Sequence, residues 1–198
     1  KVNGLVTLSD DVDLNLNAVA DSVALEAFTN NQFTGTIGGR VHIGGTSVNP
    51  NVSGTIKSNE VSYDDYRIDS GEANFIYSDG TVDIRDATLY IGDGSVNGRG
   101  KYNVDSGDFS VEGTIHNAEI APFTQNLATP ISGIVNGDFA VTGKNSNITA
   151  LEGNVVGSAI SARGISLDTA KLSFTKSGTI TNIAVTGAMG NGLLSGYG

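Results

Sequence analysis

The chain contains no cysteine, only three prolines, and 11 Lys and Arg against 21 Asp and Glu in 198 residues. Without cysteine there is no disulfide framework, no thiolate metal site and no cysteine nucleophile. With so little proline the chain is neither a polyproline spacer nor a low-complexity linker. The formal net charge is −10 and the pI is about 4.4. That balance argues against nucleic acid, since phosphate recognition needs clustered Lys and Arg. It also argues against a segment lying on an anionic bilayer, which needs a basic amphipathic face. No run of about 18 apolar residues occurs, so no stretch reads as a membrane-spanning helix. No signal peptide opens at Lys1, and an exported protein would carry its signal upstream of these residues.

What the sequence has in abundance is glycine: 27 of 198 residues, about 14% against an average of roughly 7%. Set among Val, Ile, Thr and Phe, this predicts many short strands separated by tight turns. The stretch from Val61 to Thr124 gives the clearest pattern. Ala73, Phe75 and Tyr77 share one parity, as do Val82 with Ile84, and Ala87, Leu89 and Ile91. That period of two belongs to strands with one dry and one wet face. The same pattern occurs at Val12, Leu14 and Leu16, across 33–49, from Val52 to Ile56, and at Phe109, Val111 and Ile115. Residues 61–68 carry it with a small break at Asp64-Asp65. Val23 to Thr29 breaks the alternation and reads as a single helical turn before the polar Asn30-Asn31-Gln32. Asn49-Pro50-Asn51 reads as a turn in which Pro fixes φ.

The sequence also repeats. Gly107 to Thr124 aligns with Val12 to Thr29 at an offset of 95 without a gap. Val61 to Asp69 aligns with Ile160 to Asp168 at 99, Phe75 with Phe174, and Gly94 to Gly100 with Gly192 to Gly198 at 98. The expectation is one continuous all-β segment, 1–198, made of two units, 3–96 and 97–194. Lys1-Val2-Asn3-Gly4, Ser95 to Gly98 and Leu193 to Gly196 occupy one phase of the unit, and neither end carries a polar cap. That phase agreement leads to the expectation of a piece from a longer array.

Each unit contains Ile/Leu-x-Ala/Pro-Phe-Thr, a polar spacer, and a strand pair opening on Ser/Thr-Gly. In the second unit these are Ile120-Ala121-Pro122-Phe123-Thr124 and Ile131-Ser132-Gly133 through Gly143. The pattern resembles the repeating β-groove of AsmA-like proteins, closest to the TamB family, over essentially the whole chain. The resemblance implies an elongated antiparallel meander curved into a U-shaped groove, apolar inside and polar outside. It implies a non-enzymatic part of an envelope-spanning protein that shields phospholipid acyl chains between the inner and outer membranes of a diderm bacterium. It further implies a periplasmic location, an inner-membrane anchor and an outer-membrane barrel partner, the last two through parts outside these residues. No cofactor is expected.

The residues predicted to form the lipid-facing wall are Leu14, Leu16, Phe75, Tyr77, Val82, Ile84, Leu89, Ile91, Phe109, Val111 and Ile115. In the second unit they are Phe139, Val141, Ile160, Leu172, Phe174, Ile180 and Ile183. Period two alone equally describes an ordinary sandwich core. Scarce aromatics, 7%, and a unit repeating in phase favour a groove. A closed-core β-solenoid stalk of an autotransporter or adhesin is the alternative. Tyr63, Tyr66 and Tyr90 suit a groove rim, with ring dry and hydroxyl wet. Asp79-Gly80 and Gly92-Asp93-Gly94 read as hairpin turns rather than calcium loops. Asp10-Asp11-Asp13 is the best calcium candidate but reads as a solvated strand end. His42 and His116 read as surface residues without a triad, and no Gly-x-Ser-x-Gly elbow exists.

Overall fold

The computed structural model describes residues 1–8, 11–27, 29, 32–64, 66–145 and 147–198. Asp10, Phe28, Asn30, Asn31 and Asp65, each part of a sequence expectation, lie outside them. Thirteen strands form one antiparallel meander whose order follows the chain, and the sheet is not closed. They are β1 (Val2–Thr7), β2 (Asp13–Ala24), β3 (Phe33–Gly45), β4 (Pro50–Tyr63), β5 (Tyr66–Ser78), β6 (Thr81–Ile91) and β7 (Gly94–Asn103). They continue as β8 (Asp108–Glu119), β9 (Ile131–Lys144), β10 (Asn147–Ala162), β11 (Ile165–Ser177), β12 (Ile180–Met189) and β13 (Gly192–Tyr197). The predicted helical turn after Val23 is a single 3-10 turn, Leu25–Ala27, and its counterpart is the one-turn helix α1, Ala121–Thr124. The chain divides into two compact units, Lys1–Leu89 with Gly98–Phe109, and Tyr90–Asn97 with Ser110–Gly198.

Turn chemistry explains the short connections. Asp79 (φ 49°) and Gly80 (φ 68°) form the whole loop between β5 and β6, and Arg163 (φ 49°) with Gly164 (φ 78°) the loop between β10 and β11. Paired positive φ values match the right-handed twist of the flanking strands, and Asp-Gly accepts them at little cost. Asp79-Gly80 is therefore a hairpin turn, as the sequence predicts. Among the described residues no group of three His, Asp or Glu converges to hold a metal.

The two units share their irregularities as well as their strands. Glu60 (φ 52°) interrupts β4, and Ala159 (φ 50°), 99 positions later, interrupts β10. Opposite each stands a glycine, Gly35 or Gly133, at φ 119° and 139°. A Cβ on Gly35 would meet Glu60 O at 2.5 Å, and one on Gly133 would meet Ala159 O at 3.1 Å. Each pair is a bulge, and it flips the parity of the residues beyond it.

The threonine of the shared Phe-Thr pair fastens the helical turn to the next strand in both units. Thr29 Oγ1 donates to Leu25 O (2.9 Å) and accepts from Phe33 N (3.2 Å). Thr124 Oγ1 donates to Ile131 O (2.5 Å) and accepts from Ile131 N (3.0 Å). A hydroxyl supplies both roles at once, which explains why a polar residue stands beside the apolar segment.

Candidate functional site

Strand pairing decides which side chains share a face, because directly paired residues point the same way. In the first unit the pairings build continuous apolar rows across the strands. One row is Gly4, Leu16, Ile43, Val52 and Tyr77; the next is Val2, Ala18, Val41, Gly54 and Phe75. A third is Ala20, Gly39, Ile56 and Ala73, and a fourth is Val23, Ile37, Ser58 and Gly71. Leu89 continues the fourth, since its Cδ2 lies 2.8 Å from where a Cβ on Gly71 would stand.

The opposite face is polar. Its rows include Asn17, His42 and Ser53, then Val19, Arg40, Thr55 and Asn74. His42 Nδ1 meets Asn17 Oδ1 at 3.1 Å, Thr55 Oγ1 donates to Asn74 Oδ1 at 2.6 Å, and Lys57 pairs with Glu72 at 3.1 Å. Asn74 Nδ2 also donates to Asp86 Oδ1 at 2.6 Å. With Asp86 on the polar face, its neighbour Ala87 and then Leu89 and Ile91 turn to the apolar one. Val82 and Ile84 have the parity of Asp86 and the opposite parity to Leu89, so alternation does not carry them onto the apolar face with it; between them the Asp83 carboxylate reaches the Lys101 ammonium at 3.6 Å.

The second unit repeats the arrangement. Phe139, Gly153, Phe174 and Ile183 form one row; Gly137, Val155, Leu172, Val185 and Gly196 form another. Val141 and Leu151 pair, and Lys176 and Thr181 end their row. Phe139 Cζ lies 2.9 Å from a Cβ built on Gly113, so alternation puts Phe109, Val111 and Ile115 of β8 on this face too. Ile160 joins it through the Ala159 bulge, its Cδ1 being 2.6 Å from a Cβ built on Gly157.

Two further predicted placements differ. Ile180 pairs with Ser177, in the parity of Thr175 and Ser173, so it stands on the polar face and is 65% exposed. Phe174 meets Ile183 instead, and the three-residue step from Ile180 to Ile183 crosses the sheet. Tyr90 lies between Leu89 and Ile91 and alternates to the polar side. Tyr63 and Tyr66 are direct partners at the end of the β4–β5 hairpin, and the Phe33 ring stacks on Tyr63 with centroids 4.7 Å apart.

Neither apolar face is sealed. Among the described residues Ala118 is the one buried hydrophobic side chain, and no large side chain is fully buried. The chain exposes 12,594 Å², where a closed globule of 20.3 kDa would expose about 8,800 Å². Within each unit alternation thus built an apolar and a polar face, and the apolar one is left unsealed.

On the dry face of the first unit lies a hollow of about 460 Å³. Side chains of Val2, Ala18, Val41, Val23, Ile37 and Ile56 wall it, and Ala20 and Gly39 make its floor. Lys1, Val19 and Gly38 border it, although Val19 and Gly38 share the parity of the polar face. A hollow of about 530 Å³ shares Val19, Ala20, Gly38 and Gly39 with it and is otherwise polar, with Arg40, Thr55, Lys57, Asn59 and Glu72. No sequence reading singled out the small residues Ala20 and Gly39. Their signal is visible only against the second unit, which has Ile115 where the first has Ala20. Compared with known proteins, the chain matches no family model, no curated protein and no solved structure.

Proposed function

We propose that the chain is a non-enzymatic section of a lipid-transfer protein of the cell envelope, similar to AsmA-like proteins of the TamB type. Its apolar face shields acyl chains while headgroups remain in water. On this reading the protein works in the periplasm of a diderm bacterium. Its membrane anchor and outer-membrane barrel partner belong to segments outside these residues.

The observation that carries the proposal is an aligned apolar face left uncovered in each unit. A row of aliphatic side chains offers an acyl chain about 0.8 kcal/mol per buried CH₂. No specific polar contact is needed, and sliding along the face costs little. The alternative stalk would stack short parallel coils around a closed interior. An antiparallel meander in which Ala118 is the one buried hydrophobic side chain among the described residues counts against it.

Lipid extraction and native mass spectrometry of the purified chain test the proposal, together with binding of a fluorescent fatty acid. Copurified lipid and saturable probe binding are expected. Leu89→Asp or Phe174→Asp is expected to reduce probe binding at least tenfold by placing a carboxylate in the apolar rows. Thr88→Asp or Thr175→Asp, one position away, is expected to leave binding within twofold. If no lipid copurifies and no probe binds, or if both faces respond alike, the reading fails.

A further inference from the structure

We infer that the hollow at Ala20 and Gly39 is a discrete subsite for one unbranched hydrocarbon tail, set within an otherwise shallow apolar face. The inference rests on the acyl-shielding reading and adds to it a fixed stopping place. Such a face would then hold its cargo at intervals instead of uniformly.

Geometry defines the occupant. Ala20 and Gly39 are direct partners on neighbouring strands, so the floor runs across the strands and not along them. Val2, Ala18 and Val41 flank it on one side; Val23 and Ile37 flank it on the other. With strands about 4.8 Å apart, the step from β1 to β4 covers roughly 14 Å. A trough that runs across the strands between two rows of side chains suits an extended chain better than a compact ring. Its volume of about 460 Å³ is around three times the 150 Å³ at which a dry apolar cavity already takes up benzene. Charge agrees with shape. The seven side chains and one glycine that wall and floor it carry no ionisable group, and Lys1 stands at its border, so the part of the ligand lying on them is uncharged.

The second unit explains why the trough exists. Repeat offsets align Ala20 with Ile115, Gly39 with Gly137, Val41 with Phe139 and Ala73 with Leu172. The row Ala20, Gly39, Ile56 and Ala73 therefore corresponds to Ile115, Gly137, Val155 and Leu172. The neighbouring row has Phe139 and Phe174 where the first unit has Val41 and Phe75. Phe139 fits because its direct partner is Gly153; Val41 already faces a glycine, Gly54. The first unit can thus accept the larger side chains of the second without a backbone clash.

The test uses the 198-residue chain and cis-parinaric acid, a linear polyene fatty acid that fluoresces in apolar surroundings. The variants are Ala20→Ile with Val41→Phe, which fills the trough, and Ile115→Ala with Phe139→Val, which hollows the second unit. Circular dichroism and denaturant midpoints establish that each variant folds. Native mass spectrometry counts bound probe, and light scattering reports the oligomeric state. The wild-type chain is expected to bind one parinaric acid at its tightest site. The filled variant should bind at least tenfold more weakly, and the hollowed variant should gain a second tight site. Oleate should displace the probe, whereas a polycyclic hydrocarbon such as pyrene should compete poorly. A filled variant that keeps wild-type affinity and stoichiometry overturns the subsite but leaves the open face intact. Binding lost from every variant and from wild type overturns the lipid reading itself. A wild-type dimer that persists with saturating probe, and that the filled variant breaks, assigns the trough to a second copy of this chain and overturns the inference.

Discussion

The two units fold the same strands from different apolar residues. Where the first has Ser58, Gly71 and Leu89 in one row, the second has Gly157, Ala170 and Gly187. Bulk has moved between positions while the row keeps its place. In the first unit Leu89 leans over Gly71; in the second Ile160 leans over Gly157, and the Leu167 Cδ1 over Gly187. Glycine thus does two jobs on these faces. Some glycines admit a neighbouring side chain, and others admit a neighbouring backbone. The second kind is shared by both units at Gly39 with Gly137; Gly54 admits only backbone, whereas its counterpart Gly153 admits both the Phe174 ring and Asp138 O.

That distinction predicts unequal mutational costs. Gly39→Ala and Gly137→Ala should be the most damaging, at about 3 kcal/mol each. The added Cβ would press on Thr55 O in one unit and Asn154 O in the other, and a paired strand's carbonyl cannot swing away. Urea midpoints with unchanged m-values would measure this. A cost in one unit alone would break the equivalence of the two positions.

The threonine clasp comes next. Thr29→Val and Thr124→Val keep side-chain volume but leave Phe33 N or Ile131 N without its hydroxyl partner. The expected loss is about 1–2 kcal/mol, with faster amide exchange at Phe33 or Ile131. The shorter contacts at Thr124 predict the larger of the two effects. Equal exchange in wild type and variant would show that the clasp is decorative.

Gly157→Ser should cost least, about 1 kcal/mol or less. The atoms in its way are Ile160 Cδ1 and Cγ1, the end of a movable side chain, and the first unit already carries Ser58 at the matching position. A cost near that of Gly39→Ala would mean that Ile160 is locked in place.

Much of this architecture was legible in the sequence. Period two marked Leu14 and Leu16, Phe75 and Tyr77, and Phe109 to Ile115 as single faces; pairing keeps the first two sets together, and the Phe139 contact at Gly113 places the third. Asp79-Gly80 announced its hairpin through the φ values it tolerates. The Phe-Thr repeat marked a recurrent turn, although nothing in the sequence told what its hydroxyl would hold. Ile180 shows the limit. Counted from Ile183 it looks like another apolar strand residue, but an odd number of steps separates them. Ile160 shows the reverse case, since only the bulge at Ala159 brings it onto the apolar face.

The sequence by itself determined the strands, their turns, the apolar and polar sides of each, and the repetition of the unit. Those properties are local: they follow from backbone alternation and from φ values that particular residues accept. Tertiary structure alone decided which residues of separate strands stand in one row, and whether anything covers them. Register is a relation between strands, set by hydrogen bonds to a neighbour and shifted by bulges at Glu60 and Ala159. Two small residues, Ala20 and Gly39, are unremarkable nineteen positions apart in the chain. Paired across β2 and β3, they become the floor of a trough.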